Sequence, residues 1–402
     1  MPTRSPAPLR DEIARAFPER PFSVEFWDGS ELPATNGGGP VFRLRSRKAI
    51  GHALRAPGQL GLGRAYVAGE IEIDDLDAAM AVVGSWQPPA IDRKEQAKLA
   101  LAAVRAAGPM RPPPVPEVEL RPRGRLHTIT RDARSVRHHY DLPPEFFELF
   151  LGETMAYSCA VFSRGAKTLE QAQLEKLDMV CRKLDLREGE RVLDVGCGWG
   201  SWVIHAARNY GVHVTGITLS EPQARGARER AAAAGVADLV DVRVADYREM
   251  SGERFDAIAS IGMVEHVGDA QIDLYAQQLA SLLGPGGRLL NHGIARLRHN
   301  DPPAGPFSER YVFPDADPIH LSRVQVALER AGFETDHVEG FRDDYAETLR
   351  HWARRLDDNL DEAIRLAGPE RVRVWRLYLR AARNGFETGF TSIYQVRCHA
   401  AS

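Results

Sequence analysis

A short aliphatic run, Val192 to Val195, leads into three closely spaced glycines, Gly196, Gly198 and Gly200. A helical stretch follows from about Trp202 to Asn209, and then a second apolar run, Val212 to Ile217. Short apolar runs bounded by turn residues predict buried strands. The order is therefore strand, glycine turn, helix, strand, the opening unit of a nucleotide-type α/β site. From about Arg125 onward strand and helix signals keep alternating, with a further strand begun at Phe255. That alternation predicts an α/β domain, a mostly parallel sheet with helices on both faces. Residues 1–108 read differently. Strand-like pieces (Phe22 to Trp27, Val41 to Leu44) mix there with helical segments at Leu60 to Tyr66, Asp74 to Val83 and Ile91 to Ala107. Between the two parts the prolines from Pro109 to Pro116 prevent both helix and sheet ladder. The predicted organisation is a small domain at 1–108, a linker at 109–124 and a large domain at 125–402. No internal repeat is apparent.

Length and composition agree with one large and one small domain. The chain has 402 residues, 44% of them hydrophobic and 27% charged, which fits a soluble globular enzyme. A net charge of −3 excludes a wholesale polyanion binder. Cys159, Cys181, Cys197 and Cys398 show no C-x-x-C spacing, so free thiols in a reducing cytoplasm are expected, with no metal site. The first residues have no apolar core resembling a signal, and the stretch from Ala78 to Ile91 is broken by Gln87, Pro88 and Pro89. Membrane contact, if any, is expected to be peripheral, at the inner face of the cell membrane. A basic stretch after the linker holds Arg121, Arg123, Arg125, Arg131, Arg134, Arg137, His138 and His139, with Asp132 the one acid among them. It reads either as a solvated surface or as a patch for anionic lipid headgroups, worth about 1 kcal/mol per basic residue there. No stacking aromatics are interleaved, so nucleic acid is not expected as a partner.

Two details of the glycine turn separate the nucleotides it could hold. A dinucleotide fingerprint wants glycine where this chain has Ser201. It also wants an acid ending the second strand, and Glu221 comes after that strand is over. The turn instead resembles the methionine-binding loop of S-adenosylmethionine (SAM) methyltransferases. Without Cβ atoms there, a ligand can approach the backbone closely. Asp194 is placed for a ligand ammonium group, and Thr218-Leu219-Ser220 for a ribose.

Four further segments look like parts of a site. They are Tyr140 to Phe147 leading into Tyr157-Ser158-Cys159, Ile261 to Gly268, Leu290 to Ile294, and Asp344 to Leu349. Glu265 and His292 are expected past the carboxyl ends of strands, where ligands gather in open α/β sheets. With His139-Tyr140-Asp141-Leu142, Leu193 to Gly200, Thr218-Leu219-Ser220 with Gln223, Glu265-His266-Val267-Gly268 and Phe390 to Gln395, these motifs stand in a specific order. In that order the chain resembles the cyclopropane-fatty-acyl-phospholipid synthase family, with the mycolic acid cyclopropane synthases and their fatty-acid methyltransferase relatives. The likeness covers residue 125 to the end, and more weakly the N-terminal part through Leu60 to Glu70.

The resemblance implies a Rossmann-like class I SAM-dependent methyltransferase sheet with a smaller N-terminal lipid-side domain. It implies SAM contacts at Tyr157, Ser158, Asp194, Gly196, Gly198, Thr218, Leu219, Gln223, Asp246, Tyr247 and Ile261. It also implies a bicarbonate ion held by Cys159, Glu265, His292, the backbone at Ile294, and Tyr345. The implied substrate is an unsaturated phospholipid acyl chain at the membrane surface, and the implied assembly a homodimer. An alkene is a poor nucleophile, and its attack on a sulfonium methyl leaves a carbocation whose proton must be removed away from water. Tyr157 and Phe162 offer π faces to such a cation. Loss of a proton from the new methyl closes a cyclopropane ring. Loss from a neighbouring carbon leaves a methylene branch, which would call for a reductase partner. Two departures bear on that choice. Asp315 and Asp317 stand where many cyclopropane synthases carry glycines, and Leu349 to Leu377 looks closer to relatives making tuberculostearic-type branched acids. A small-molecule methyltransferase and a non-catalytic lipid-binding protein are the competing readings.

Overall fold

The structure, a computed structural model, describes residues 5–120, 128, 131–132, 142–299 and 305–400. The chain divides into two compact units. The first is Met1–Leu120 with Gly305–Tyr311 and Gly368–Asn384, and the second takes Arg121–Ala304, Val312–Ala367 and Gly385–Ser402.

In the first unit, strands β1 (Ser23–Glu25), β2 (Glu31–Leu32), β3 (Val41–Leu44) and β4 (Ile71–Ile73) form one sheet in the order β2-β1-β3-β4. Helices Ala7–Ala16, Lys48–Arg55 and Arg93–Ala107 bury Leu9, Ile50, Ala102 and Ala106 in one core with Val24, Phe26 and Leu32. The proline-rich stretch, expected as a linker, belongs to this unit. Prolines forbid a ladder but not burial. Arg55 donates to the Pro113 carbonyl at 2.7 Å, and Arg64 forks onto Glu119 at 2.6 and 2.7 Å. Tyr311 adds its hydroxyl to Glu119 at 2.9 Å, drawing a distant segment into the same unit. A buried charge pair of this kind is costly to break from one side.

The second unit is a seven-stranded sheet. Its strands are β5 (Arg191–Val195), β6 (His213–Thr218), β7 (Val240–Val244), β8 (Phe255–Ile261), β9 (Leu283–Arg296), β10 (Phe333–Gly340) and β11 (Thr391–Ala400). They lie in the order β10-β11-β9-β8-β5-β6-β7, parallel except that β11 runs antiparallel to both β9 and β10. Both faces are covered. Val192, Ala257 and Ala259 pack under helices Leu169–Lys183, Ser201–Tyr210 and Glu221–Ala233, while Leu193, Val195 and Ile258 pack under Ile272–Leu282 and Leu321–Arg330. Two-sided burial explains why β5 reads as an unbroken apolar run. After β7 the chain returns to the other side of β5, so the strand order reverses between β5 and β8, the place where such sheets bind ligands. This is the mostly parallel α/β sheet that the alternation predicted, and the Rossmann-like one that the resemblance implied. Among the described residues no helix is long and apolar enough to cross a membrane.

One glycine of the turn is required by packing. Gly200 has φ 78°, and a Cβ there would lie 2.9 Å from the Ala227 Cβ. Gly198, at φ 53°, would meet no protein atom within 4 Å. Gly200→Ala is therefore expected to lose about 1–3 kcal/mol more stability than Gly198→Ala, the difference being overpacking. Urea denaturation of the two variants checks this, and equal losses would contradict it.

Candidate active site

The turn after β5 opens into a cavity lined by Gly196, Gly198, Thr218, Leu219, Gln223, Asp246 and Tyr247. Seven of the expected cofactor residues are thus gathered at one place, at the carboxyl ends of β5, β6 and β7. Met263, His266 and Phe313 also line it. Ser220 does not. It is buried and accepts the Gln223 N–H as the cap of helix Glu221–Ala233, so of Thr218, Leu219 and Ser220 it is the one that serves the fold. Thr218 donates its hydroxyl to Gln223 Oε1 at 2.7 Å, which fixes both side chains at the rim. The Asp246 carboxylate accepts from the Arg248 backbone at 2.9 Å and from its guanidinium at 2.6 and 2.8 Å. Tyr247 stacks edge-on to Tyr275.

Tyr157, Ser158, Asp194 and Ile261 do not line that cavity. Asp194 lies beneath the turn, with Oδ1 buried and unpartnered. Burial pushes it up to about 7, against the pull of Lys176. Lys176 is itself buried and pulled down to about 8, and it donates to Ser158 Oγ at 2.9 Å. Ser158, Lys176 and Asp194 therefore form a second polar group behind the glycine turn, and Lys176 was not anticipated from the sequence.

The other expected residues fall in two groups, Cys159, His292 and Tyr345 around Phe341, and Glu265 beside Gly293 and the Ile294 amide. The Phe341 carbonyl accepts the Tyr345 N–H at 3.0 Å, and the Cys159 Sγ lies 3.7 Å from it. Its ring faces His292 at 6.1 Å between centroids. Glu265, on the short turn Val264–His266 after β8, reaches the same strand from the other side. A Cβ on Gly293 would lie 2.1 Å from Val264 Cγ1 and 3.2 Å from Glu265 Oε2, so glycine there lets the Val264–His266 turn pack on β9. His292 corrects the expected placement, because it lies inside β9 and not past its end. β8 stops at Ile261, opposite His292, whereas β9 continues to Arg296 because it pairs with β11 along that length. The carboxyl edge of the sheet at this point is thus set by β8.

Electrostatics at this cluster are those of a dry site. Burial pushes Glu265 up to about 7, against the pull of its own backbone amide and that of Ile294. Burial holds His292 well below the usual imidazole range, and the charges of Lys176 and Lys183 add to this. Burial also pushes the Cys159 thiol well up, with Asp344 acting in the same direction. Glu265 Oε2 and His292 Nε2 are buried and have no protein partner.

The loop carrying Tyr157 and Cys159 is bolted to helix Arg342–Asp358 by two residues that sequence reading left without a role. Asp344 accepts the Phe162 and Ser163 amides at 2.6 and 2.7 Å, and Thr348 accepts the Ala160 amide at 3.1 Å. Tyr157 packs against Phe147 and Trp352, while one face of Phe162 is already stacked on His351 at 5.2 Å. The two unexpected acids hold structure. Asp315 takes a bidentate pair from Arg131 at 2.6 Å, and the Asp317 amide donates to the Glu265 carbonyl at 2.9 Å. Of the basic stretch only Arg131 is described, and it is engaged in that pair. Arg121, Arg123, Arg125, Arg134, Arg137, His138 and His139 lie outside the described residues, as do Tyr140 and Asp141.

Residues 127–396 match the model of the mycolic acid cyclopropane synthetase family. The chain is 38% identical over 402 residues to a probable fatty acid methyltransferase of Mycobacterium tuberculosis, covering 96% of this chain and 92% of that one. It is 32% identical over 372 residues to the cyclopropane-fatty-acyl-phospholipid synthase of Escherichia coli, covering 90% and 89%. Among solved structures it is similar to the mycolic acid cyclopropane synthase CmaA1 complexed with SAH and CTAB, with a TM-score of 0.63 and 33% identity over 66% of this chain and 98% of that one. A SAM-dependent methyltransferase sheet, a cavity at its switch point and a family match over most of its length together show that the chain belongs to the mycolic acid cyclopropane synthetase family.

Proposed function

We propose that this protein moves the methyl carbon of SAM to the double bond of an unsaturated acyl chain in a membrane phospholipid, with bicarbonate as the base, and that the product carries a cyclopropane ring. The observation that carries this reading is the pair Glu265 Oε2 and His292 Nε2, two buried polar atoms without a protein partner beside the same stretch of β9. Leaving such an atom unpaired costs about 1–3 kcal/mol. One carboxylate acceptor and one ring nitrogen suit a small oxyanion that also carries a hydroxyl.

When bound, SAM supplies an electrophilic methyl and bicarbonate a compact base. The chain's own residues do the rest. Asp194 would take the ammonium end of the cofactor, Gly196 and Gly198 would let it approach the protein backbone closely, and Thr218, Leu219 and Gln223 would meet the ribose. Asp246 and Tyr247 would flank the adenine, Asp246 with lone pairs left over from Arg248, and the cofactor roles of Tyr157, Ser158 and Ile261, which do not line the cavity, rest on the resemblance alone. On the acyl side Glu265, held by the Ile294 amide, would accept a hydrogen bond from the hydroxyl, and His292, Tyr345 and the backbone of Cys159 would serve the anion as donors. Because the Cys159 thiol is held protonated, it is a poor competitor for the methyl group. Burial of the cluster keeps out water that would capture a carbocation. A second reading, a methylene-branched product for a reductase to saturate, rests on the likeness of the segment Leu349 to Leu377 to relatives making branched acids. Expression in a host rich in unsaturated phospholipids, followed by mass spectrometry of its fatty acids, is expected to show a gain of one CH₂, and ring-opening chemistry separates the two products. An unchanged lipid profile with an active methyl transfer to a small molecule would overturn the reading.

Gly198→Val is expected to keep the fold, at about 1–2 kcal/mol of backbone strain, and to lose SAM binding. Unchanged affinity by calorimetry in the folded variant would contradict the placement.

Glu265→Gln and His292→Ala are each expected to slow turnover by about 10²- to 10³-fold while leaving SAM affinity intact. The acceptor role needs the carboxylate, which forms as pH rises through about 7. Wild-type turnover at saturating bicarbonate should therefore fall about tenfold per pH unit below that point. A profile flat between pH 5 and 8 would show that ionised Glu265 is not required.

A further inference from the structure

Glu339, Gln395 and His292 stand in one row across three neighbouring strands. Glu339 is directly opposite Gln395 in the β10–β11 pair, and Gln395 is directly opposite His292 in the β11–β9 pair. Residues so opposed project to the same face. Lys183, the last residue of helix Leu169–Lys183, crosses over this row. Its Nζ lies 2.6 Å from Glu339 Oε2, 2.6 Å from Gln395 Oε1 and 5.1 Å from the centre of the Phe341 ring. On the other side of the amide, Gln395 Nε2 is 3.1 Å from His292 Nδ1. Gln395 and His292 are both fully buried.

The chemistry of these contacts fixes every proton. An ammonium group donates and cannot accept, so the amide atom facing Lys183 is the carbonyl oxygen. The NH₂ group therefore faces the imidazole, and since it too only donates, Nδ1 must be bare. The one proton of a neutral ring is then on Nε2, the nitrogen with no protein partner. A doubly protonated ring would set N–H against N–H at Gln395. Glu339 anchors the free end of the row by pairing with Lys183, which Arg164 and His337 also approach through Glu339.

We propose that Lys183 and Gln395 are positioning residues that lock His292 as the neutral Nε2–H tautomer, so that a hydrogen-bond donor, and not a lone pair, is presented where the catalytic anion is held. The inference rests on the reading of His292 given above. It assigns the C-terminal strand a chemical task, because a shift of β11 by one residue would turn Gln395 to the opposite face. Supporting partners of this kind are commonly worth about 10- to 100-fold in activity.

The test is nitrogen-15 NMR of the full chain labelled in its histidines, with the His292 signals identified by their loss in His292→Ala. The wild-type protein is expected to show an unprotonated Nδ1 and a protonated Nε2. In Lys183→Met the amide is free to turn its NH₂ to Glu339 and its oxygen to the ring, and in Gln395→Glu only acceptors remain, so both variants should protonate Nδ1. Turnover should fall about 10- to 100-fold in each, with SAM affinity kept, and Lys183→Arg should restore the wild-type signals and most of the rate. A protonated Nδ1 in the wild-type protein overturns the lock whether or not any variant folds. An unchanged tautomer in both folded variants overturns it as well. If the tautomer switches but turnover does not change, the lock stands and the donor role given to His292 fails.

Discussion

Ionisable and polar groups buried away from water must be answered by a partner or be held in their neutral forms. The second unit builds its site on that constraint. Cys159, Asp194, Lys176, Glu265 and His292 are all buried, and burial moves each of them toward its neutral form. Such a set is a poor way to stabilise a fold. It is a good way to leave specific polar atoms waiting for a ligand while excluding water from everything around them. Glu265 and Asp194 keep one oxygen each without a partner, and His292 keeps one nitrogen.

The sheet supplies the geometry that makes this tolerable. Reversal of strand order between β5 and β8 opens the cavity after β5, and the antiparallel β11 between β9 and β10 extends the floor past the end of β8. His292 lies where β8 ends and β9 continues, so one of its faces is packed and its Nε2 is left over. Phe341 ties the parts together, its carbonyl shared by Cys159 and the start of the helix carrying Tyr345, its ring against His292 and Lys183. Asp344 and Thr348 then hold the 157–163 loop on that helix. The result is a site whose members come from widely separated stretches of sequence but share a few anchoring atoms.

Much of this is legible in the sequence. The run from Val192 through Gly200 announced its strand and turn because apolar runs and glycines are local signals. Glu265 and His292 stood out only together with the ordered motifs, since a lone acid or histidine carries little information. What stayed hidden depended on register and on tertiary partners. Gln395 means nothing until β11 is known to pair with β9. Ser220 looked like a ribose contact and proved to be a helix cap, as serine before a helix often is. Lys176 did leave a trace, a lysine on the same helical face as Leu169, Gln173 and Val180 in an otherwise buried stripe. The proline-rich stretch misled because prolines report the absence of regular structure and say nothing about burial.

The claim on which the rest hangs is that Glu265 and His292 jointly hold a small oxyanion. Carbon-13 NMR of labelled bicarbonate titrated into the protein tests it most directly, because it needs neither lipid nor turnover. One saturable site is expected, present in the wild-type protein and in Gly198→Val, and weakened in both Glu265→Gln and His292→Ala. No saturable site, or one unchanged in both of those variants, would contradict it.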